Sequence, residues 1–250
     1  MATATVVPPQ DSAPLSEGAR LIDVFFAPSK TFTDLRRSAS WWAPFLITAI
    51  VSLAFVYTVD QKVGFRKVAE NQIQSQPKQA ERFENMPADQ REKAMQTQVK
   101  ATKIFSYCFF VFILVWYALV AAVLLVTLKF GFSADVKFKT LFALTNYSGL
   151  VGLLKSLLAI VSLLAGVSSD GFTFQNPVAT NPGYFVDRAA HPALASFLTS
   201  FDIFVIWTLV LAAIGITRIS KVKSGAAFAV VFGWFGVLVL IGTAVAAVFS

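Results

Sequence analysis

Residues 104–128 read IFSYCFFVFILVWYALVAAVLLVTL, twenty-five positions without a charged side chain. As an α-helix rising about 1.5 Å per residue, such a run is long enough to cross a bilayer core of about 30 Å. A water-soluble helix of that length keeps a polar face toward solvent, and this stretch has none. It is expected to span a membrane, and four more apolar stretches lie at about 41–59, 141–166, 198–217 and 225–249. The fold class that follows is all-α: an integral membrane bundle of five transmembrane helices. Composition points the same way. The 250 residues are 56% hydrophobic and only 14% charged, against about 25% charged in ordinary soluble domains.

The net charge of +7 does not call for nucleic acid, because the basic residues flank the apolar runs, where anionic lipid headgroups would meet them. Lys30, Arg36 and Arg37 precede the first span. Lys129, Lys137 and Lys139 follow the second, and Arg218, Lys221 and Lys223 follow the fourth. By the positive-inside rule these ends are cytoplasmic, so the N-terminus is expected inside and the C-terminus outside. Residues 1–20 are Pro-, Ala- and Ser-rich, lack an apolar signal core, and read as a disordered tail.

Ahead of the first span, the segment 21–40 is expected to be interfacial. Phe25 and Phe26 are taken as apolar contacts to the membrane surface, Arg20, Arg36 and Arg37 as phosphate contacts, and the Trp41-Trp42 pair as a headgroup-layer anchor. Packing of the apolar residues beneath the bundle is the other reading. Ser29 is the expected N-cap of a short helix over KTFTDLRR. The polar insert 60–103, divided by Pro77 and Pro87, is expected to form a helical hairpin projecting from the membrane, a solvated charged linker being the other reading.

Reactive chemistry has little to work with. The chain holds one histidine, His191, and one cysteine, Cys108, too few for zinc or haem ligation, and it lacks phosphate-loop, nucleophile-elbow and zinc-protease motifs. No cofactor, no metal and no catalytic residue are expected, and the protein is read as a non-enzyme. The candidate polar site lies inside the membrane: Asn146, Tyr147 and Lys155 on span three and Asp202, placed about five residues into span four. Charges at that depth are costly unless paired, and the antiparallel spans make a Lys155–Asp202 ion pair feasible; the other reading is that Lys155 snorkels toward the outer surface and Asp202 caps or borders its helix. Gly225, Ala229 and Gly233 form a ladder of small residues on span five. They are expected to pack against Ala212, Ala213 and Gly215 of span four in preference to a second copy of the chain.

Taken in order, DVFFAPSKTFTDL with WWAPF at 41–45, TLFALTNYSGLVGLL at 140–154, and NPVATNP leading to SFDIFVIWTLVLAAIGI at 200–216 resemble the Yip1 family of multi-pass membrane proteins in its bacterial form. The resemblance implies a compact five-helix membrane bundle with a cytoplasmic N-terminus, in a bacterium in the inner membrane. Eukaryotic relatives bind Rab-type GTPases and shape secretory-pathway membranes; the implied role here is membrane organisation or scaffolding, with the bilayer and its anionic lipids as partners, and protein partners or a homo-oligomer besides. The family brings no catalytic residues. The alternative is a small transporter or permease component using Lys155 and Asp202.

Overall fold

The computed structural model describes residues 13–249 and is built of helices, with no strand among the described residues. Two short helices, α1 (Glu17–Phe26) and α2 (Pro28–Asp34), precede the first long one, α3 (Trp42–Lys62). Three more, α4 (Phe65–Gln74), α5 (Pro77–Glu84) and α6 (Ala88–Tyr107), make up most of the polar insert. Then come α7 (Phe109–Phe132), α8 (Phe138–Leu164), α9 (Pro192–Thr199), α10 (Ile203–Ile219) and α11 (Ser224–Phe249). Four helices, α3, α7, α8 and α11, are each long and apolar enough to cross a membrane. The fifth span is broken: α9 and α10 together pass the same test but meet at 46°.

Side-chain contacts fix the register. Trp41 stacks near Phe142, and Val59 shares a buried cluster with Leu163, so α3 and α8 run parallel. Gly215 meets Leu144 and Lys155 meets Asp202, so α10 runs antiparallel to α8. One end of the bundle, called here the N-terminal face, therefore gathers the start of α3, the α7–α8 turn and the α10–α11 turn. The far face carries α4–α6 and the loop 165–202.

Helix α8 occupies the centre. Every residue from Ala143 to Val151 is buried, so the polar groups of this span face protein and not lipid, and most of them find partners there, the Ser148 hydroxyl being left without one. Thr145 donates to the Tyr117 carbonyl at 3.2 Å and Asn146 to the Phe142 carbonyl at 2.7 Å. In lipid such groups must be satisfied internally, since no water is available to do it. The peripheral helices are inverted relative to a soluble protein, with Leu46, Ile50 and Leu53 on α3, Val115 and Leu119 on α7, and Leu240 and Ile241 on α11 all exposed.

Several boundaries differ from those read in the sequence. Helix α1 begins at Glu17, inside the expected tail, with Ser16 accepting from the Ala19 N–H as N-cap; residues 1–12 lie outside the described residues. Ser29 is not a cap, because Pro28 already occupies the first turn of α2 and Ala27 precedes it. The insert is tied to its surroundings: Arg66 on α4 bridges Glu92 on α6 at 2.9 Å, Lys103 reaches Asp60 at 2.9 Å, and Asn71 donates to the Phe172 carbonyl at 3.0 Å. The Arg66 guanidinium holds the exposed Glu92 carboxyl below its ordinary value. That link is complete above the ordinary glutamate range and is lost as pH falls through the lowered value.

The small-residue ladder also differs. Gly225, Ala229 and Gly233 are exposed on the outer side of α11, and a Cβ at either glycine would meet nothing within 4 Å. The close approach that needs a missing side chain occurs elsewhere. At Gly149 the ring of Tyr117 lies over the α8 backbone, so that a Cβ would sit 2.0 Å from the phenol oxygen.

Gly149→Ala is therefore expected to separate α7 from α8 and cost about 1–3 kcal/mol, the usual range for overpacking, whereas Gly233→Ala should be neutral. Thermal unfolding in detergent reads both, and Gly149→Ala combined with Tyr117→Leu should recover most of the loss.

Candidate functional site: two buried charge clusters

At the far face the residues between α8 and α10 fold back under the start of α10. The Asn176-Pro177 and Asn181-Pro182 turns bring Thr180 and Asn181 beneath Asp202. The Asp202 carboxylate, 1% exposed, accepts from Lys155 Nζ at 2.8 Å, from Thr180 Oγ1 and, more weakly, from Asn181 Nδ2 at 3.4 Å. Its other oxygen accepts from the Phe204 N–H at 2.9 Å. Asp202 is thus the N-cap of α10, not a residue five positions inside a continuous span, and it sits at the break between α9 and α10. A carboxylate there also faces the positive end of the helix dipole. The loop backbone joins the same knot, with the Ile203 N–H donating to the Thr180 carbonyl at 3.2 Å.

The second cluster lies near the N-terminal face. Arg20, 2% exposed, donates through Nε to Asp34 at 2.8 Å and through Nη1 to Glu17 at 3.2 Å. Arg37 donates to the other Asp34 oxygen at 2.8 Å, and the Tyr147 hydroxyl donates to Glu17 at 2.8 Å. The network joins α1, α2 and α8 with two acids balancing two arginines.

The four residues expected to form one polar site are therefore divided. Lys155 and Asp202 are paired at the far face, while Tyr147 serves the N-terminal cluster and Asn146 bonds within its own helix. Among the expected lipid contacts, Arg20 is a correction: it turns inward because Asp34 and Glu17 neutralise it there. Phe25 turns onto Trp207 with ring centroids 6.2 Å apart, and Trp41 is half-buried against Phe142. Phe26, Arg36 and Trp42 are exposed, and Arg37 reaches Asp34 while keeping part of its surface open. The sequence reading missed Thr180, Asn181, Glu17 and Asp34. The two Asn-Pro turns flanking Thr180 signalled a constrained loop; nothing local signalled Asp34, whose partner lies fourteen residues away.

A cavity of about 620 Å³ opens between α8 and the loop, lined by Asp170, Asn176, Arg188 and their neighbours, but not by Lys155, Asp202, Asn146 or Tyr147. Among the described residues no three His, Cys, Asp or Glu side chains gather as a metal site.

Removing one partner of a buried ion pair costs about 3–5 kcal/mol, because the other charge stays buried alone. Lys155→Met should show that loss in thermal unfolding, and Lys155→Met with Asp202→Asn should regain most of it. A Lys155→Asp/Asp202→Lys exchange should fail to rescue, because lysine at 202 can neither cap α10 nor accept from Thr180. Gly183→Ala should loosen the same knot, since its Cβ would sit 2.5 Å from the Thr199 backbone nitrogen.

No curated protein and no solved structure matches the chain. A family model described as Yip1 domain matches residues 22–246, from the second turn of α1 almost to the end of α11. With helices able to cross a membrane and an all-helical bundle around α8, the chain belongs to the Yip1 domain family of membrane proteins.

Proposed function

We propose that this Yip1-type protein is a non-enzymatic scaffold that organises the bilayer around it, held in a bacterial inner membrane with its N-terminal face in the cytoplasm. One observation carries the reading: its buried charges are spent on one another. Lys155 is closed by Asp202, and Arg20 by Asp34 and Glu17. A transport path needs polar groups that face a passage, and the pair does not line the cavity between α8 and the loop. The exposed cations Arg36, Lys129, Lys137, Lys139, Arg218, Lys221 and Lys223 all belong to the N-terminal face. They supply the attraction to anionic lipid and the orientation.

Reconstitution tests this. Liposomes containing phosphatidylglycerol should change size and shape with increasing protein density, read by cryo-electron microscopy, while staying tight to ions and small solutes. Saturable solute flux abolished by Asp202→Asn would replace the scaffold with a transporter. A fluorescent-protein fusion at the N-terminus should mature and fluoresce in the cytoplasm, and an alkaline phosphatase fusion at the same point should stay inactive.

A further inference from the structure

The helices α1 and α2 are antiparallel: Thr31 donates to the Arg20 carbonyl at 3.3 Å, and Asp34 holds the Arg20 guanidinium. Their height along the bundle can be read from what they touch. Phe32 packs at Gly215 and Leu144, about four residues from the end of α10 and six from the start of α8, which is about 6–9 Å in from the N-terminal face. At the turn between the two helices, Phe25 meets Trp207, twelve residues or about 18 Å from the end of α10. The chain therefore climbs along the flank of α8 and α10 through α1, turns at Ala27-Pro28, and descends through α2.

Along α1 one side is closed and the other open. Arg20 and Val24 are buried, whereas Ile22 is 62% and Phe26 85% exposed. Neighbouring α3, in contact with α1, shows lipid the same way through Trp42, Leu46 and Ile50. We propose that α1–α2 is a re-entrant hairpin that enters the bilayer leaflet on the N-terminal face, with Ile22 and Phe26 bearing on lipid acyl chains. The occupant of the open stripe is lipid because its apolar surface continues that of α3 and because its tip stands beside Trp207, well inside the broken fifth span. Lys30, exposed on α2 just past the turn, has a long flexible stem that lets its ammonium lie nearer the phosphate layer than its own backbone. The proposal rests on the membrane reading above and gives it a physical means: a wedge held in one leaflet by the Arg20–Asp34–Glu17 lock.

Depth is measurable directly. With the exposed Cys108 replaced by serine, single cysteines in place of Ile22, Phe26, Arg36 and Leu46 carry a nitroxide in the full chain. The host vesicles are of phosphatidylethanolamine and phosphatidylglycerol. The ratio of oxygen to nickel-chelate accessibility should be highest at 26, lower at 22 and lowest at 36. A nickel-accessible label at 26 would place the hairpin in water, and one shielded from both reagents would place it under protein; either result overturns the proposal. The label at Leu46 reports spanning independently, and vesicle reshaping is a separate readout. A failure of the scaffold reading is thus distinguishable from a failure of the hairpin.

Discussion

The carboxylate of Asp202 is the point on which the far half of the bundle depends. The chain there leaves one helix, α9, and begins another at 46° to it. Such a break frees backbone groups in a region where lipid offers nothing to bond them. Asp202 answers with two oxygens and four donors: a backbone N–H of the new helix, a hydroxyl and an amide from the loop, and an ammonium from α8. Each donor comes with a piece of structure attached. The same acid therefore caps α10, pulls the 176–182 loop beneath it and ties both to the central helix. Lys155 is the partner that this buried capping carboxylate meets, which accounts for a lysine about two-thirds of the way along α8.

The N-terminal half solves the same problem with different residues. Two short helices cannot hold themselves against a bundle by apolar contact alone when one of their faces is left open, as α1 leaves Ile22 and Phe26. The balanced set Glu17, Arg20, Asp34 and Arg37, with Tyr147 reaching from α8, supplies directional bonds that specify one docking geometry. Shape provides the rest: Phe32 enters where Gly215 has no side chain. The polar run Thr145–Ser148 in the middle of α8 makes sense between these two ends, because α8 is surrounded by protein at that height.

What could be read from the sequence was what depends on local pattern. Uncharged runs longer than a bilayer core gave the helices and the family of folds. The trouble came wherever an apolar run hid a change of direction. LASFLTSFDIFVIW reads as one continuous span, yet the helix stops at Thr199 and restarts at Ile203, and only the cap at Asp202 marks the place. Arg20 looked like a phosphate ligand because its partner Asp34 belongs to another helix and pairs through tertiary structure. The Gly225–Ala229–Gly233 ladder has the spacing of a packing face, but spacing does not say which side of a helix meets the bundle. The glycines that do allow close contact, Gly149, Gly183 and Gly215, carry no such repeat. The Lys155–Asp202 contact was accessible because two opposite charges in antiparallel spans restrict each other's options.

These arrangements bear on function through what they leave over. A transporter or an enzyme keeps some polar groups incompletely satisfied in one state so that a substrate can complete them, and the cost of burial makes that an unusual choice in lipid. Here the charged groups inside the bundle complete each other, the buried oxygens left without a partner, Ser148 Oγ and Asn181 Oδ1 among them, are neutral, and the helix-breaking sites are spent on a cap and a hairpin turn. The surface is where variety remains: the N-terminal face is basic, the lipid-facing sides carry bulky apolar groups, and α1 presents an aromatic edge beside the first part of α10. Forces available to such a molecule act between it and its surroundings, as charge against anionic headgroups and volume against acyl chains. On the proposed reading such a body would act on a membrane by occupying it, with the closed ion pairs inside holding its shape.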